Sequence, residues 1–401
     1  MTPVAEETKV RTGIDLDVPW CLDDDQRTWR RTVREFAEKV IAPEASQRSI
    51  DHRFDPDLVP RLAELGLFGM RVSEEQGGSA SSMSSFCLAI EELARVDSSV
   101  AVTVHVAAIS AALLDHLGNE EQKRDLLPRA ARGETFICFG LTEPSSGTDA
   151  GRVTTRAKRD GDGWVLNGAK QFITNAGTPM ASHVIVFAAT GERRSDGRSP
   201  VSAFLVPTDA EGFSVAPGYS KLGWRSSDTR PLFFEDVRLP DSALLGEEGR
   251  GFAEALRFLT WARLPIASMS VGLSQACLDL TVEFVSQRES FGEKLAAHQY
   301  VAFGVADMAA QTAMARTVTY DACWKYDHGL PYDQEAAICK FMASEIANQV
   351  SYRATQLHGG YGFVDETDVT RHYRDARILT IGEGTSEVQR MLIARSLGLP
   401  A

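Results

Sequence analysis

The sequence predicts an α+β fold in three consecutive parts: an N-terminal helical domain, a middle β-domain and a C-terminal four-helix bundle. Three observations lead there. Apolar residues recur at helical spacing through the first third. After Gly133 the texture turns to short β-type runs separated by Gly and Pro, and from Gly251 the helical period returns and holds almost to the end. The domains this predicts are 1–134, 135–245 and 246–401.

In the first part, Trp29, Val33, Phe36, Val40 and Ile41 share a helical face, and Pro43 marks an expected stop. Asp55-Pro56 reads as an N-cap followed by proline at the first helical position, with Gly66 as the end signal. Further helices are expected over 85–96 and 100–117. In the middle part, Phe136–Phe139 and Val153–Arg159 read as strands, and the turn at Gly161-Asp162-Gly163 leads into Trp164–Leu166 as a hairpin. Strands are also expected at 183–188, 201–206, 213–216 and 232–237, giving a sandwich or barrel. The last part predicts helices over 252–288, 298–327, 333–358 and 384–396, and long helices with short joins predict a bundle.

Composition narrows the function. The 401 residues are 43% hydrophobic and 24% charged, with a formal charge of −13 and no basic stripe, which disfavours nucleic acid as the ligand. The uncharged stretch Ser98–Leu114 is shorter than the ~20 residues of a membrane span and predicts a buried helix. The N-terminal stretch has neither the basic nor the apolar region of a signal peptide. Cys21, Cys87, Cys138, Cys277, Cys323 and Cys339 lie far apart without a CxxC, so reduced thiols in a cytoplasmic enzyme are expected. The histidines show no metal-ligand spacing, and GxGxxG, GK[ST], HExxH and GxSxG are all absent.

Four segments remain: Leu141–Asp149 (LTEPSSGTD), Lys170–Asn175 (KQFITN), Gln287–Gln299 (QRESFGEKLAAHQ), and Gln356–Gly362 (QLHGGYG) with Ile381–Arg390 (IGEGTSEVQR). In order and spacing they resemble the acyl-CoA dehydrogenase family over nearly the whole chain. The resemblance implies that family's fold, FAD as cofactor, and α,β-dehydrogenation of an acyl thioester. Glu383 then removes the α-proton while the β-hydrogen leaves as hydride to flavin N5. Apart from the resemblance, such chemistry needs donors on the thioester carbonyl, a dry pocket and a carboxylate of raised pKa. Glu383 lies between Gly382 and Gly384, which let the backbone approach a ligand closely. The resemblance adds the Glu383 N–H and the ribityl 2′-hydroxyl as carbonyl donors.

The same resemblance assigns the other site residues. Phe139, Leu141 and Thr142 match the strand against the isoalloxazine ring, and Thr148 lies near the pyrophosphate. Phe172, Ile173 and Thr174 match the wall beside the flavin. Arg288, Phe291 and Gln299 match the face that a neighbouring subunit lends to the FAD, and a guanidinium suits a pyrophosphate. Gln356, Gly359 and Gly360 close over the dinucleotide, with Thr385 and Glu387 beside it. Thr148, Arg263 and Gly384 match substrate-side positions. FAD shared between subunits implies a homo-oligomer, usually a tetramer in this family, with electrons passing to an electron-transferring flavoprotein.

Three departures bear on the substrate. The alternative base position beside Arg263 is Ala262, so Glu383 is the base. Thr260 stands where many relatives have an Asp that helps hold CoA, which keeps an acyl-carrier-protein thioester open beside acyl-CoA. Gly382 replaces a common Tyr and opens the pocket near the α-carbon, as a branched, ring-bearing or substituted chain requires. A dicarboxylic substrate would need a deep cation, and 97–117 offers only His105, read as buried core along with Trp261 as packing. An oxidase or monooxygenase on the same fold is the other alternative.

Overall fold

The computed structural model describes residues 22–195 and 197–400. Cys21 and the N-terminal stretch read for a signal peptide therefore lie outside the described residues. The first helix, α1 (Asp24–Phe36), opens on a reciprocal cap: the Asp23 carboxylate accepts from Gln26 N at 2.7 Å, and Gln26 Oε1 accepts from Asp23 N at 3.2 Å. Pro43 does not stop the chain there as expected. A wide π-turn over Ala37–Ile41 leads directly into α2 (Ala42–Ile50), so Pro43 falls in a first turn, where a missing N–H leaves no bond unmade.

The next helix, α3 (Leu58–Glu64), also starts later than Asp55-Pro56 implied. Asp55 Oδ1 accepts from Asp57 N at 3.2 Å and shapes a turn before the helix, which places Pro60 in the first turn. Then follow α4 (Met83–Val96), α5 (Ser98–Leu117) and α6 (Glu120–Ala131). With Asp115 and His116 included, α5 has 20 residues and is long and apolar enough to cross a membrane, contrary to the shorter reading. Its side chains are nevertheless buried on nearly every face, from Ser98 to Leu114, as a core helix requires.

The middle domain is built from β1 (Phe136–Gly140), β2 (Arg156–Asp160), β3 (Gly163–Thr174), β4 (Ala181–Ala189), β5 (Val201–Pro207), β6 (Phe213–Val215), β7 (Thr229–Pro240) and β8 (Leu244–Leu245). β2 starts later than Val153, and the expected hairpin forms with Asp160 opposite Gly163. One leaf runs β6-β7-β3-β2 and the other contains β1, β4, β5 and β8; the single pairing Arg156↔Ala189 joins them. Trp164, Leu166, Val184, Val186, Phe204 and Phe234 fill the space between the leaves, with Trp164 edge-on to Phe204 at 5.0 Å between centroids.

The C-terminal part holds α7 (Gly251–Gln287), the short ribbon β9 (Glu289–Ser290) and β10 (Glu293–Lys294), α8 (Gln299–Asp327), α9 (Asp333–His358), α10 (Asp368–Leu379) and α11 (Ser386–Ser396). The long helices lie where expected, but α10 was not anticipated. The N-terminal and C-terminal helices share one core. α4 lies so close to α7 that a Cβ on Gly272 would sit 2.1 Å from Glu91 O, so only glycine fits. Buried polar groups tie α4 to two further helices: Glu91 accepts from Arg316 Nε at 3.0 Å and Tyr320 OH at 2.8 Å on α8, and Glu92 accepts from Arg30 Nε at 2.7 Å on α1.

Candidate active site

Glu383 occupies the short junction between α10 and α11. Its backbone is left-handed, with φ +53°, and Gly384 follows at φ +89°. Two successive left-handed residues turn the chain sharply, and Thr385 then caps α11 by accepting from Val388 N at 3.3 Å. A glutamate in this conformation is strained by roughly 1–3 kcal/mol and must be held by its surroundings. Lys340 Nζ, from α9, donates to Gly384 O at 2.6 Å, and Gln389 Nε2 donates to the same oxygen at 3.0 Å.

The carboxylate itself is left free. Glu383 Oε2 is buried without a hydrogen-bond partner. The Glu383 N–H likewise makes no hydrogen bond to another described residue. Burial raises the Glu383 pKa, while Lys340 and then Arg263 restrain it, leaving the group at about 6. Arg263 is buried on α7; its Nε lacks a partner and its Nη1 reaches Thr260 Oγ1 only at 3.4 Å. Ala262, fully buried, puts no second carboxylate beside it. At Gly382 a Cβ would meet nothing closer than Ile378 O at 3.7 Å, so this wall of the junction is open.

A second group of predicted residues lies on the β-domain. Phe139, half-buried near the end of β1, packs on Phe187 with centroids 5.2 Å apart, and Leu141 is buried. Thr142 O accepts from Gln171 N at 2.8 Å, joining the LTEP segment to β3. Phe172 has φ +62°, an unusual conformation for an aromatic residue, and is 58% exposed. Its ring is tilted against Tyr219, with centroids 5.1 Å apart, and the exposed remainder offers an aromatic surface to a planar ligand. Ile173 points into the sandwich core, so it can offer a flavin only its backbone. Thr174 is half-buried opposite Thr229, and Thr148 is exposed in the loop after β1.

A third group gathers at the far end of the bundle. Arg288, Phe291, Gln299, Gln356, Gly359 and Gly360 are all exposed, Phe291 by 96%. Phe284 ties their two segments together, stacking on His358 at 4.4 Å and meeting Tyr361 edge-on at 5.9 Å. Gly359 ends α9 with φ +59°, and a Cβ there would meet no atom within 4 Å. Glu387 is exposed on the first turn of α11, next to Thr385. Lys340 and Gly359 stand 19 positions apart along α9, about 28 Å at the usual helical rise. The Glu383 pocket and the bundle end are therefore separate regions of one chain.

Two buried charges of the site received no role from the sequence. Lys340 interrupts an apolar run of α9 (Ile338, Cys339, Phe341, Met342), but which way its ammonium turns is decided only by tertiary packing. The second is a buried ion pair beneath the LTEP segment. Lys170 Nζ donates to Glu143 Oε1 at 2.8 Å, Leu141 O at 3.1 Å and Phe187 O at 2.7 Å, and Glu143 also accepts from Thr154 N at 2.6 Å and Thr155 N at 3.0 Å. Burial brings Lys170 down to about 8 although Glu143 opposes the change. No group of His, Cys, Asp or Glu suited to a metal ion occurs among the described residues, whose five cysteines are buried free thiols. Trp261 is packing, under the Arg71 guanidinium at 5.7 Å and beside Phe258 at 5.6 Å.

Comparison with known proteins gives the arrangement its context. The acyl-CoA dehydrogenase N-terminal, middle and C-terminal domain families match residues 23–134, 138–237 and 249–398. The chain belongs to the acyl-CoA dehydrogenase family. It is 41% identical over 377 residues to the mitochondrial short-chain specific acyl-CoA dehydrogenase of Bos taurus, covering 94% of this chain and 90% of that protein. Among solved structures, butyryl-CoA dehydrogenase from Megasphaera elsdenii superposes with a TM-score of 0.89 at 37% identity, over 94% of this chain and 98% of that one. Glutaryl-CoA dehydrogenase from Mycobacterium smegmatis, solved with FADH2, does so with a TM-score of 0.90 at 31% identity, over 96% and 97%. Members of this family are oxidoreductases acting on CH–CH bonds, and the fold expected for such a protein is the one observed.

Proposed function

We propose that the protein is an FAD-dependent acyl-CoA dehydrogenase in which Glu383 removes the α-proton of a short acyl thioester. The observation that carries this reading is the buried, unpartnered Glu383 carboxylate beside an unused N–H. The exposed Phe172 ring, the exposed guanidinium of Arg288 and the open space over Gly359-Gly360 suit a flavin dinucleotide. When bound, FAD supplies a two-electron acceptor for the hydrogen lost from the β-carbon.

The chain's own residues do the rest. A carboxylate at about 6 is ionised at neutral pH, yet basic enough to take a proton from a weak carbon acid. The Glu383 N–H donates to the thioester carbonyl, where negative charge develops as the α-proton leaves. Arg263 and Lys340 put two buried positive charges around one carboxylate, which favours that charge. His105 on α5 is held neutral by burial, down to about 4, so this helix offers no cation to a second substrate carboxylate. Together with the short-chain and butyryl relatives, this favours a short monocarboxylic acyl group, and the open space at Gly382 accommodates an α-branch.

The Glu383 pocket and the bundle end lie too far apart to hold one cofactor from one chain. The bundle end therefore completes the FAD site of a second copy, making the protein a homo-oligomer of at least two chains. The buried free thiols suit a cytoplasmic enzyme, with an electron-transferring flavoprotein as acceptor. The test is anaerobic mixing of the yellow holoenzyme with butyryl-CoA, isobutyryl-CoA, glutaryl-CoA and butyryl-carrier protein. Rapid flavin bleaching with the first two is expected. Faster bleaching by the carrier-protein thioester would overturn the CoA assignment. Stoichiometric peroxide from turnover in air would point to an oxidase instead.

A further inference from the structure

We propose that Lys340 is a positioning residue for the base: its ammonium clamps the strained turn that carries Glu383 and places a buried positive charge facing the carboxylate. The inference rests on the reading of Glu383 as the base.

The geometry is specific. Lys340 is fully buried on α9, and its Nζ reaches Gly384 O at 2.6 Å, one residue beyond the base. That carbonyl belongs to a pair of left-handed residues, at φ +53° and +89°, which relax unless they are held. Gln389 already donates to the same oxygen at 3.0 Å, so the carbonyl needs no second donor for satisfaction alone. Lys340 forms no salt bridge among the described residues, and burial brings it down to about 8. A buried ammonium is an expensive way to cap a carbonyl, because a neutral amide would do so without the desolvation. Its charge therefore has a second role, and the group it faces is Glu383.

The other charges around this pair come from every packed element. Arg263 on α7 faces Glu383 and itself faces Asp333, Tyr332 and Cys339. Glu345 on α9 and Glu387 on α11 face Lys340, but Glu345 is engaged by Ser386 Oγ at 2.6 Å and Glu387 is exposed. Lys340 is the larger of the two cationic influences on Glu383.

Three substitutions separate clamp from charge. Lys340→Gln keeps a donor for Gly384 O without the charge, Lys340→Arg keeps the charge, and Lys340→Met keeps neither. Single-turnover flavin bleaching by butyryl-CoA is followed from pH 5 to 9, with thermal melting and FAD content measured alongside. For Lys340→Gln, the midpoint of the rate profile should move to higher pH by about one unit or more, with KM unchanged. Lys340→Arg should restore the wild-type midpoint. Lys340→Met should show the same move and also lose about tenfold to a hundredfold in plateau rate, because the base is no longer held in place. Wild-type midpoints in both Gln and Met variants, with only a lower melting temperature, would show Lys340 to be structural and overturn the proposal. The base assignment fails separately, if Glu383→Gln bleaches as fast as the wild type.

Discussion

Two glycine-bearing junctions, at the ends of α9 and α10, look alike in the sequence and differ completely in the structure. His358-Gly359-Gly360 turns left-handed in the open, with space around both glycines and exposed Arg288, Phe291 and Gln356 nearby. Glu383-Gly384, after Gly382, turns left-handed half-buried, clamped by Lys340 and Gln389, with a carboxylate oxygen that is buried and that no neighbour satisfies. The first junction is complete only when something covers it. The second holds a carboxylate oxygen that no side chain satisfies. A glycine pair allows a close approach in both places, and under the proposed function the exposed pair would meet a cofactor from outside while the more enclosed one would meet the substrate.

The strongest way to break this comparison is complementation. Glu383→Gln alone and Arg288→Glu combined with Gln356→Ala should each lose nearly all turnover, the first through the base and the second through the FAD site. Co-expressed and purified as mixed oligomers, they should recover activity at sites that join an intact Glu383 to an intact bundle end. Assay of the mixed oligomer checks this, and absence of recovery would mean that each chain holds its cofactor alone.

A smaller effect is expected beneath the LTEP segment. Glu143→Leu leaves Lys170 buried without its carboxylate and should cost about 3–5 kcal/mol in urea unfolding. Removing the exposed pair Lys39–Glu35 should cost at most about 1 kcal/mol. Equal costs would show that burial does not distinguish the two.

Smaller again is the contribution of His105, which has no partner for either ring nitrogen. The unfolded chain takes up this proton near pH 6.5, whereas the folded chain does so only at about 4. Between those values the unfolded state binds more protons, so stability falls as pH drops through this window and levels off below it. The total is about 3 kcal/mol at most. His105→Leu should flatten this part of the stability profile in denaturant titrations at pH 4 to 7; an unchanged slope would assign the loss to other groups, such as His372.

The three-part fold was legible because apolar periodicity is a local signal, whereas Glu383 stood out through the resemblance its segment carries. Pro43 misled because a π-turn, invisible to a period of 3.6, carries the chain into α2. α10 went unread for a different reason: its buried face consists of Arg371, His372, Arg374 and Asp375 as much as of Val369, Ala376 and Leu379. Such a face looks solvated until its partners are known; Asp375, for example, accepts from Ser98 Oγ at 2.8 Å and Trp224 N at 2.6 Å. Lys340 and the Glu143–Lys170 pair were hidden likewise, since burial of a charge is a property of packing between elements.

Whether Glu383 takes the α-proton can be read in one experiment. The most direct measurement is anaerobic stopped-flow bleaching of the flavin by butyryl-CoA in Glu383→Gln and wild-type holoenzyme of equal FAD content. With Glu383 as the base, the rate rises through about pH 6 in the wild type, and the variant loses at least about a thousandfold at every pH. Bleaching by the variant at a comparable rate would contradict that role.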